Sequence, residues 1–134
     1  MQLNPYIIFN GQCETAFNFY QQCLGGTITA MLTYGSSPMA EQIPAESHGK
    51  IMHARLKVGD EVLMGSDGQP GRDHEQIKGI SVALNIEEPA EAERVFNALA
   101  ENGTIQMPIQ STFWAARFGM LVDQFGVPWM VNCE

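Results

Sequence analysis

Three histidines, His48, His53 and His74, stand in an acidic chain, and imidazole is the side chain best suited to moving protons near neutral pH or to holding a metal. Their spacing argues against a sequence-local metal site. No H-x-x-x-H or H-E-x-x-H pattern occurs, and the neighbours His74 and Glu75 point to opposite sides of an extended segment. His48 and His74 fall in loops bounded by Gly and Pro, where a histidine is read as solvated. His53 differs. In the run Ile51-Met52-His53-Ala54-Arg55-Leu56, a period of two puts His53, Arg55 and Lys57 on one face and Met52, Ala54, Leu56 and Val58 on the other. If the polar face looks into a cleft, His53 is a general acid/base or a hydrogen-bonding residue; otherwise it is structural.

The segment Phe113-Trp114-Ala115-Ala116-Arg117-Phe118-Gly119 places three aromatic rings beside one of the chain's seven Lys and Arg residues. An arginine next to aromatic rings can pair with a carboxylate while the rings stack on a planar body. Arg117, Trp114 and Phe118 are therefore expected to meet a small organic acid or aromatic compound. The alternative is that Phe113 and Phe118 fill the core or a dimer seam. Met64, Met120 and Met130 read first as adaptable packing, with Met130 also expected among the ligand contacts. Other chemistries lack their residues. There is no G-x-S-x-G nucleophile turn, and no cysteine has a histidine near it in sequence. The glycines of Gly65-Ser66-Asp67-Gly68-Gln69-Pro70-Gly71 match neither phosphate-loop spacing, so this stretch reads as a connector.

The elements that must carry these residues repeat. Tyr6–Phe9 reads as a strand stopped by Asn10-Gly11; Gln12–Leu24 carries a helical stripe through Cys13, Ala16, Phe17, Tyr20, Cys23 and Leu24, ended by Gly25-Gly26. Strands are predicted over Thr27–Tyr34, Lys50–Val58 and Glu61–Ser66, the last two joined by Gly59-Asp60. The order then recurs: strand Ile80–Ile86, a helix opened by Pro89 with its stripe on Ala92, Val95, Phe96 and Leu99, a close at Asn102-Gly103, and strands over Thr104–Met107, Ala115–Val122 and Val127–Asn132. The fold class is α+β, two βαβββ modules forming a curved mixed sheet in a single domain over 1–134. Module one covers about 1–67, a connector 68–79 and module two about 80–134. Each module alone leaves one sheet face uncovered, so the modules are expected to bury one another or a second chain, with a cleft where their strands converge.

Composition narrows the partners. The chain has 134 residues, with 15 Asp and Glu against seven Lys and Arg, a net charge of −8 and no basic cluster, which disfavours nucleic acid and anionic membranes. No apolar run approaches the ~20 residues of a membrane span, and Met1–Pro5 lacks the features of a signal peptide, so a cytoplasmic location is expected. Charged residues make up 16%, against about 25% in typical domains, and this favours burial in a partner, as in a homodimer. Cys13, Cys23 and Cys133 are odd in number without a C-x-x-C and read as reduced, buried thiols.

Pro5-Tyr6-Ile7-Ile8-Phe9-Asn10-Gly11 with Ala16, Phe19-Tyr20 and Leu24-Gly25-Gly26 resembles the opening of the vicinal oxygen chelate superfamily, the glyoxalase/bleomycin-resistance/dioxygenase proteins. His53-Ala54-Arg55-Leu56, Gly59-Asp60, Leu63-Met64, Ser66-Asp67, Thr112-Phe113-Trp114, Arg117-Phe118-Gly119, Asp123, Phe125-Gly126 and Trp129 resemble its PhnB-like branch, across nearly the whole chain. The resemblance implies the doubled βαβββ fold and a small organic ligand. In metal-using members it implies one ligand on the first and one on the last strand of each module. Those positions are Pro5, Ser81, Met64 and Met130 here, none competent for a hard cation, so a metal-independent binding protein without a cofactor is expected. One alternative is an enzyme whose divalent metal is held by His53 with carboxylates of the second module; another is a protein that sequesters a drug or metabolite without catalysis. PhnB-like proteins are often labelled 3-demethylubiquinone methyltransferases, yet no glycine-rich strand-loop-helix is present to hold a methyl donor.

Overall fold

The structure, a computed structural model, describes residues 1–69 and 74–134. It divides into two compact units, Met1–His74 and Glu75–Glu134, and each folds around its own four-stranded sheet. The expected connector lies partly outside the described residues, including Pro70 and Gly71.

In the first unit, β1 (Tyr6–Phe9) leads into α1 (Cys13–Leu24), followed by β2 (Thr27–Thr33), β3 (Ile51–Val58) and β4 (Glu61–Asp67). The sheet order is β1-β4-β3-β2, with β1 parallel to β4 and the other pairs antiparallel. Alternation decides the core. Ile7, Phe9, Ala54 and Leu56 are buried, as are Ala16, Phe17 and Tyr20 of α1, and the Phe9 ring meets the rings of Phe17 and Tyr20. Burying a side chain of this size contributes about 1.5–3 kcal/mol. A Cβ on Gly65 would lie 2.9 Å from the Phe17 ring and 2.8 Å from the Ile7 carbonyl oxygen, so the helix packs this closely only over glycine. Gly26, at φ +86°, turns the chain out of α1 where a side chain would strike the Lys57 carbonyl oxygen at 2.2 Å.

Between β2 and β3 the sequence predicts an open loop, whereas the structure holds three short 3-10 turns, Tyr34–Ser36, Ala40–Gln42 and Ala45–Ser47. His48 is not simply solvated: its half-buried ring nitrogen Nε2 lies 2.9 Å from the Ala40 carbonyl oxygen and 3.0 Å from that of Ile43, tying the turns together. Met52 also departs from strict alternation. Leu32 pairs with His53 and Thr33 with Ile51, so Met52 is a bulge and Ile51 takes the buried position.

Asp67 is the polar centre of this unit. Its buried carboxylate accepts the Cys13 amide at 3.0 Å and the Ile51 amide at 2.8 Å, while its carbonyl accepts the Tyr34 hydroxyl at 3.0 Å. Gln12 gives α1 no side-chain cap, so Asp67 caps the helix from 54 residues away and places a negative charge at its positive end. Burial first, and then the Asp67 and Glu14 charges, push the Cys13 thiol up to about 12. Burial, with Asp67 next, raises Tyr34 as well.

The second unit repeats the order with β5 (Val82–Asn85), α2 (Pro89–Leu99), β6 (Thr104–Gln110), β7 (Arg117–Val122) and β8 (Pro128–Cys133), in the sheet order β5-β8-β7-β6. Pro89 opens α2 as expected, and Ala92, Val95, Phe96 and Leu99 are buried. Asn102, at φ 59°, makes the left-handed turn beyond the helix. β6 runs on through Pro108; it is an edge strand with irregular register, where a missing N–H costs least. Asp123 organises the β7–β8 turn: its carboxylate accepts the amides of Phe125 and Val127 at 2.8 and 3.0 Å and the Trp129 indole N–H at 2.8 Å. All three cysteines are free and buried.

Candidate functional site

With a helix on one side of each sheet, the opposite, open face carries the side chains of the other parity. On the first sheet, the pairings Tyr6–Met64 and Met64–Arg55 form one row across β1, β4 and β3, and Ile8–Ser66 with His53–Leu32 form the next. Tyr6 reaches diagonally to His53: its hydroxyl lies 3.2 Å from Nδ1, and the rings stack at 5.7 Å with 23° between their planes. Arg55 and Lys57 extend from the same face and are exposed. Tyr6, Ile8 and Leu32 remain 45%, 45% and 46% exposed around the pair.

The open face of the second sheet contrasts with this in chemistry. Its rows join Met107, Met120, Met130 and Ala83, then Gln110, Phe118, Asn132 and Asn85. The Asn132 side-chain amide donates to the Asn85 side-chain oxygen at 3.1 Å. None of these positions is charged. Before β7, Thr112 closes a tight turn on Ala115, with the Thr112 amide donating to the Ala115 carbonyl oxygen at 3.0 Å and the Ala115 amide to the Thr112 hydroxyl at 3.1 Å. That turn delays the strand predicted from Ala115 until Arg117 and holds out Phe113 and Trp114, which are 96% and 52% exposed. Trp114 stands edge-on to Phe113 at 4.7 Å and to Phe118 at 5.5 Å.

The structure thus brings Trp114, Phe118 and Met130 to one face of the second unit and His53 to the open face of the first. Arg117 goes elsewhere, which corrects its expected place beside Trp114. Its position pairs with buried Cys133 on the helix side of β7; its Nε donates to Glu93 of α2 at 2.7 Å and a terminal nitrogen to the Ala116 carbonyl oxygen at 2.6 Å. A carboxylate of its own chain therefore already occupies that guanidinium. Phe113 belongs to no core, since it is the most exposed ring of its cluster. Tyr6 and Arg55 share the open face with His53. The alternation in β3 already placed Arg55 with His53, whereas no sequence signal joins Tyr6 to a histidine 47 residues away.

The metal positions implied by the superfamily do not fit a hard divalent cation. Pro5 offers only its carbonyl, which accepts the Met64 amide at 3.1 Å, and Met64 and Met130 offer thioethers. Among the described residues, no group of three or more His, Cys, Asp or Glu side chains converges as a metal site. No helix of the described residues is long and apolar enough to cross a membrane.

Comparison with known proteins agrees with the doubled fold. Protein YjdN of Escherichia coli K12 is 36% identical over 140 residues, covering 98% of this chain and 95% of that protein. The crystal structure of PA1353 from Pseudomonas aeruginosa has 58% identity, covers 100% of this chain and 98% of its own, and superposes with a TM-score of 0.93. A Bacillus cereus structure described as a putative 3-demethylubiquinone-9 3-methyltransferase, PhnB protein, has the same fold at 24% identity, with a TM-score of 0.82 and full coverage of both chains. The architecture, α+β with two mixed four-stranded sheets and two helices, is the glyoxalase/bleomycin-resistance fold. The family described as 3-demethylubiquinone-9 3-methyltransferase matches residues 1–132, and the chain belongs to it, within the PhnB-like branch of the vicinal oxygen chelate superfamily.

Proposed function

We propose that this chain is a small-molecule-binding protein that works without a metal, as a cytosolic homodimer. The observation that carries the reading is the aromatic cluster on the second unit: a half-exposed Trp114, edge-on to Phe118, beside a row of methionines on an uncharged face. Such a surface offers dispersion and ring stacking to a planar or apolar body, with Met130 and Met120 adapting to its outline. Asn132 and Gln110 on the same face supply hydrogen bonds that fix orientation. His53, held by Tyr6, is the group best able to exchange a proton with a bound molecule. Methyl transfer is not part of this proposal: the described residues form no glycine-rich strand-loop-helix to bind a methyl donor.

The test is a screen of neutral and charged bicyclic aromatics by calorimetry, on protein purified without chelator, with metal content measured alongside. Binding that Trp114→Ala weakens while the unfolding temperature holds, and that EDTA leaves unchanged, supports the proposal. Stoichiometric zinc, nickel or manganese surviving gel filtration would defeat the metal-independent part, and a sedimentation run giving a monomer at micromolar concentration would defeat the dimer.

A further inference from the structure

Arg55 projects from the open face of the first sheet, and among the described residues no carboxylate lies within ion-pair distance of it. Its strand neighbours on that face are His53 and Lys57, and the positions across from it are Met64 and Ala30. No Asp or Glu occupies the open-face row or the row beside it, although the whole chain carries a charge of −8. Arg55 and Lys57 thus gather positive charge on one face of a chain whose net charge is −8, and a guanidinium with no carboxylate partner among the described residues is the side chain that matches a carboxylate fork to fork. Around it lie apolar and aromatic surfaces that remain exposed, Ile8, Leu32 and the ring of Tyr6. The Tyr6 ring is fixed by its stacking on His53 and by the hydrogen bond at 3.2 Å, so this wall is set before any ligand arrives.

We propose that this face binds an organic acid with a flat apolar body, its carboxylate on Arg55 and its body against Tyr6, Ile8 and Leu32. The proposal rests on the small-molecule reading above and names the chemical class of the ligand. It also moves the anion partner from Arg117, which Glu93 already holds, to Arg55.

Two probes separate the charge from the body: 2-naphthoate and its uncharged counterpart 2-naphthamide, titrated by calorimetry into the full chain. The parent protein is expected to bind the acid about tenfold more tightly than the amide. Arg55→Gln, at an exposed position that leaves the fold intact by circular dichroism, removes that preference by weakening the acid alone. Arg117→Gln leaves the preference in place. Equal binding of the two probes by the parent, or a preference that survives Arg55→Gln and is lost with Arg117→Gln, would overturn the assignment and leave the small-molecule reading standing. Binding of neither probe would overturn both.

Discussion

The two units place different chemistry on the same backbone plan. Register makes the correspondence explicit: the row Tyr6, Met64, Arg55 of the first sheet answers to Ala83, Met130, Met120 of the second, and His53 answers to Phe118. One open face is cationic with a tyrosine–histidine pair; the other is uncharged, with thioethers, amides and rings. Strand order and pairing decide where a side chain stands, and side-chain type decides what it does there. A repeated fold can therefore divide anion recognition and apolar contact between its copies. Each unit also places a glycine beneath a helix phenylalanine, Gly65 under Phe17 and Gly119 under Phe96, but on different strands. The same packing demand has been met twice by different means.

The buried aspartates allow the sharpest break of this comparison. Asp67 joins α1, β3 and β4 from distant points of the chain, whereas Asp123 accepts from Phe125, Val127 and Trp129 across its own β7–β8 turn. Asp67→Ala is expected to cost about 3–5 kcal/mol, because two buried amides lose their acceptor. Asp123→Ala should cost less, about 2–4 kcal/mol, since the turn can relax and the half-buried Phe125 amide can reach water. Denaturant unfolding measures both. Hydrogen exchange should show Asp67→Ala opening α1 and β3 and Asp123→Ala loosening β7 and β8; identical exchange maps would remove the distinction.

The open faces come next in size. Trp114→Ala should weaken binding of naphthalene, which has neither a charge nor a polar group, by about 1–2 kcal/mol through lost ring contact. His53→Gln should change it by less than about 0.5 kcal/mol, since naphthalene carries no charge to read. The reverse ranking in calorimetry would exchange the roles assigned to the two faces.

Alkaline pH should act through the first unit. Cys13 and Tyr34 both have raised values when folded, so the folded chain keeps protons that the unfolded chain releases. Their stabilisation is complete below about pH 9, the ordinary thiol value, and is lost as pH rises towards the folded value of about 12. Chemical denaturation at pH 8 and pH 10.5 should show this decline, and Cys13→Ala should flatten it. Native Cys13 should also resist iodoacetamide at pH 8.

The smallest effect belongs to the second unit. Arg94 holds Glu91 below its ordinary value through a side-chain hydrogen bond on the exposed side of α2. A lowered carboxylate stabilises above its unfolded value and loses that contribution as pH falls through the folded one. Glu91→Gln should lower the melting temperature slightly at pH 7 and leave it unchanged at pH 3; a larger effect at pH 3 would contradict the sign.

Much of the fold was legible in the sequence because periodicity and turn chemistry are local. Gly25-Gly26, Gly59-Asp60, Pro89 and Asn102-Gly103 punctuate the elements, and the stripes of α1 and α2 name their buried residues. The alternation in β3 likewise placed His53, Arg55 and Lys57 on one face. Alternation within one strand, however, cannot say which face the helix covers or which residues of other strands lie opposite. That is why Arg117 belongs behind the sheet with Glu93, Tyr6 belongs with His53, and Asp67 caps a helix that begins at Cys13. Those contacts span 24, 47 and 54 residues. Only the tertiary structure decides them, because they depend on strand order and register, which arise from packing the whole unit.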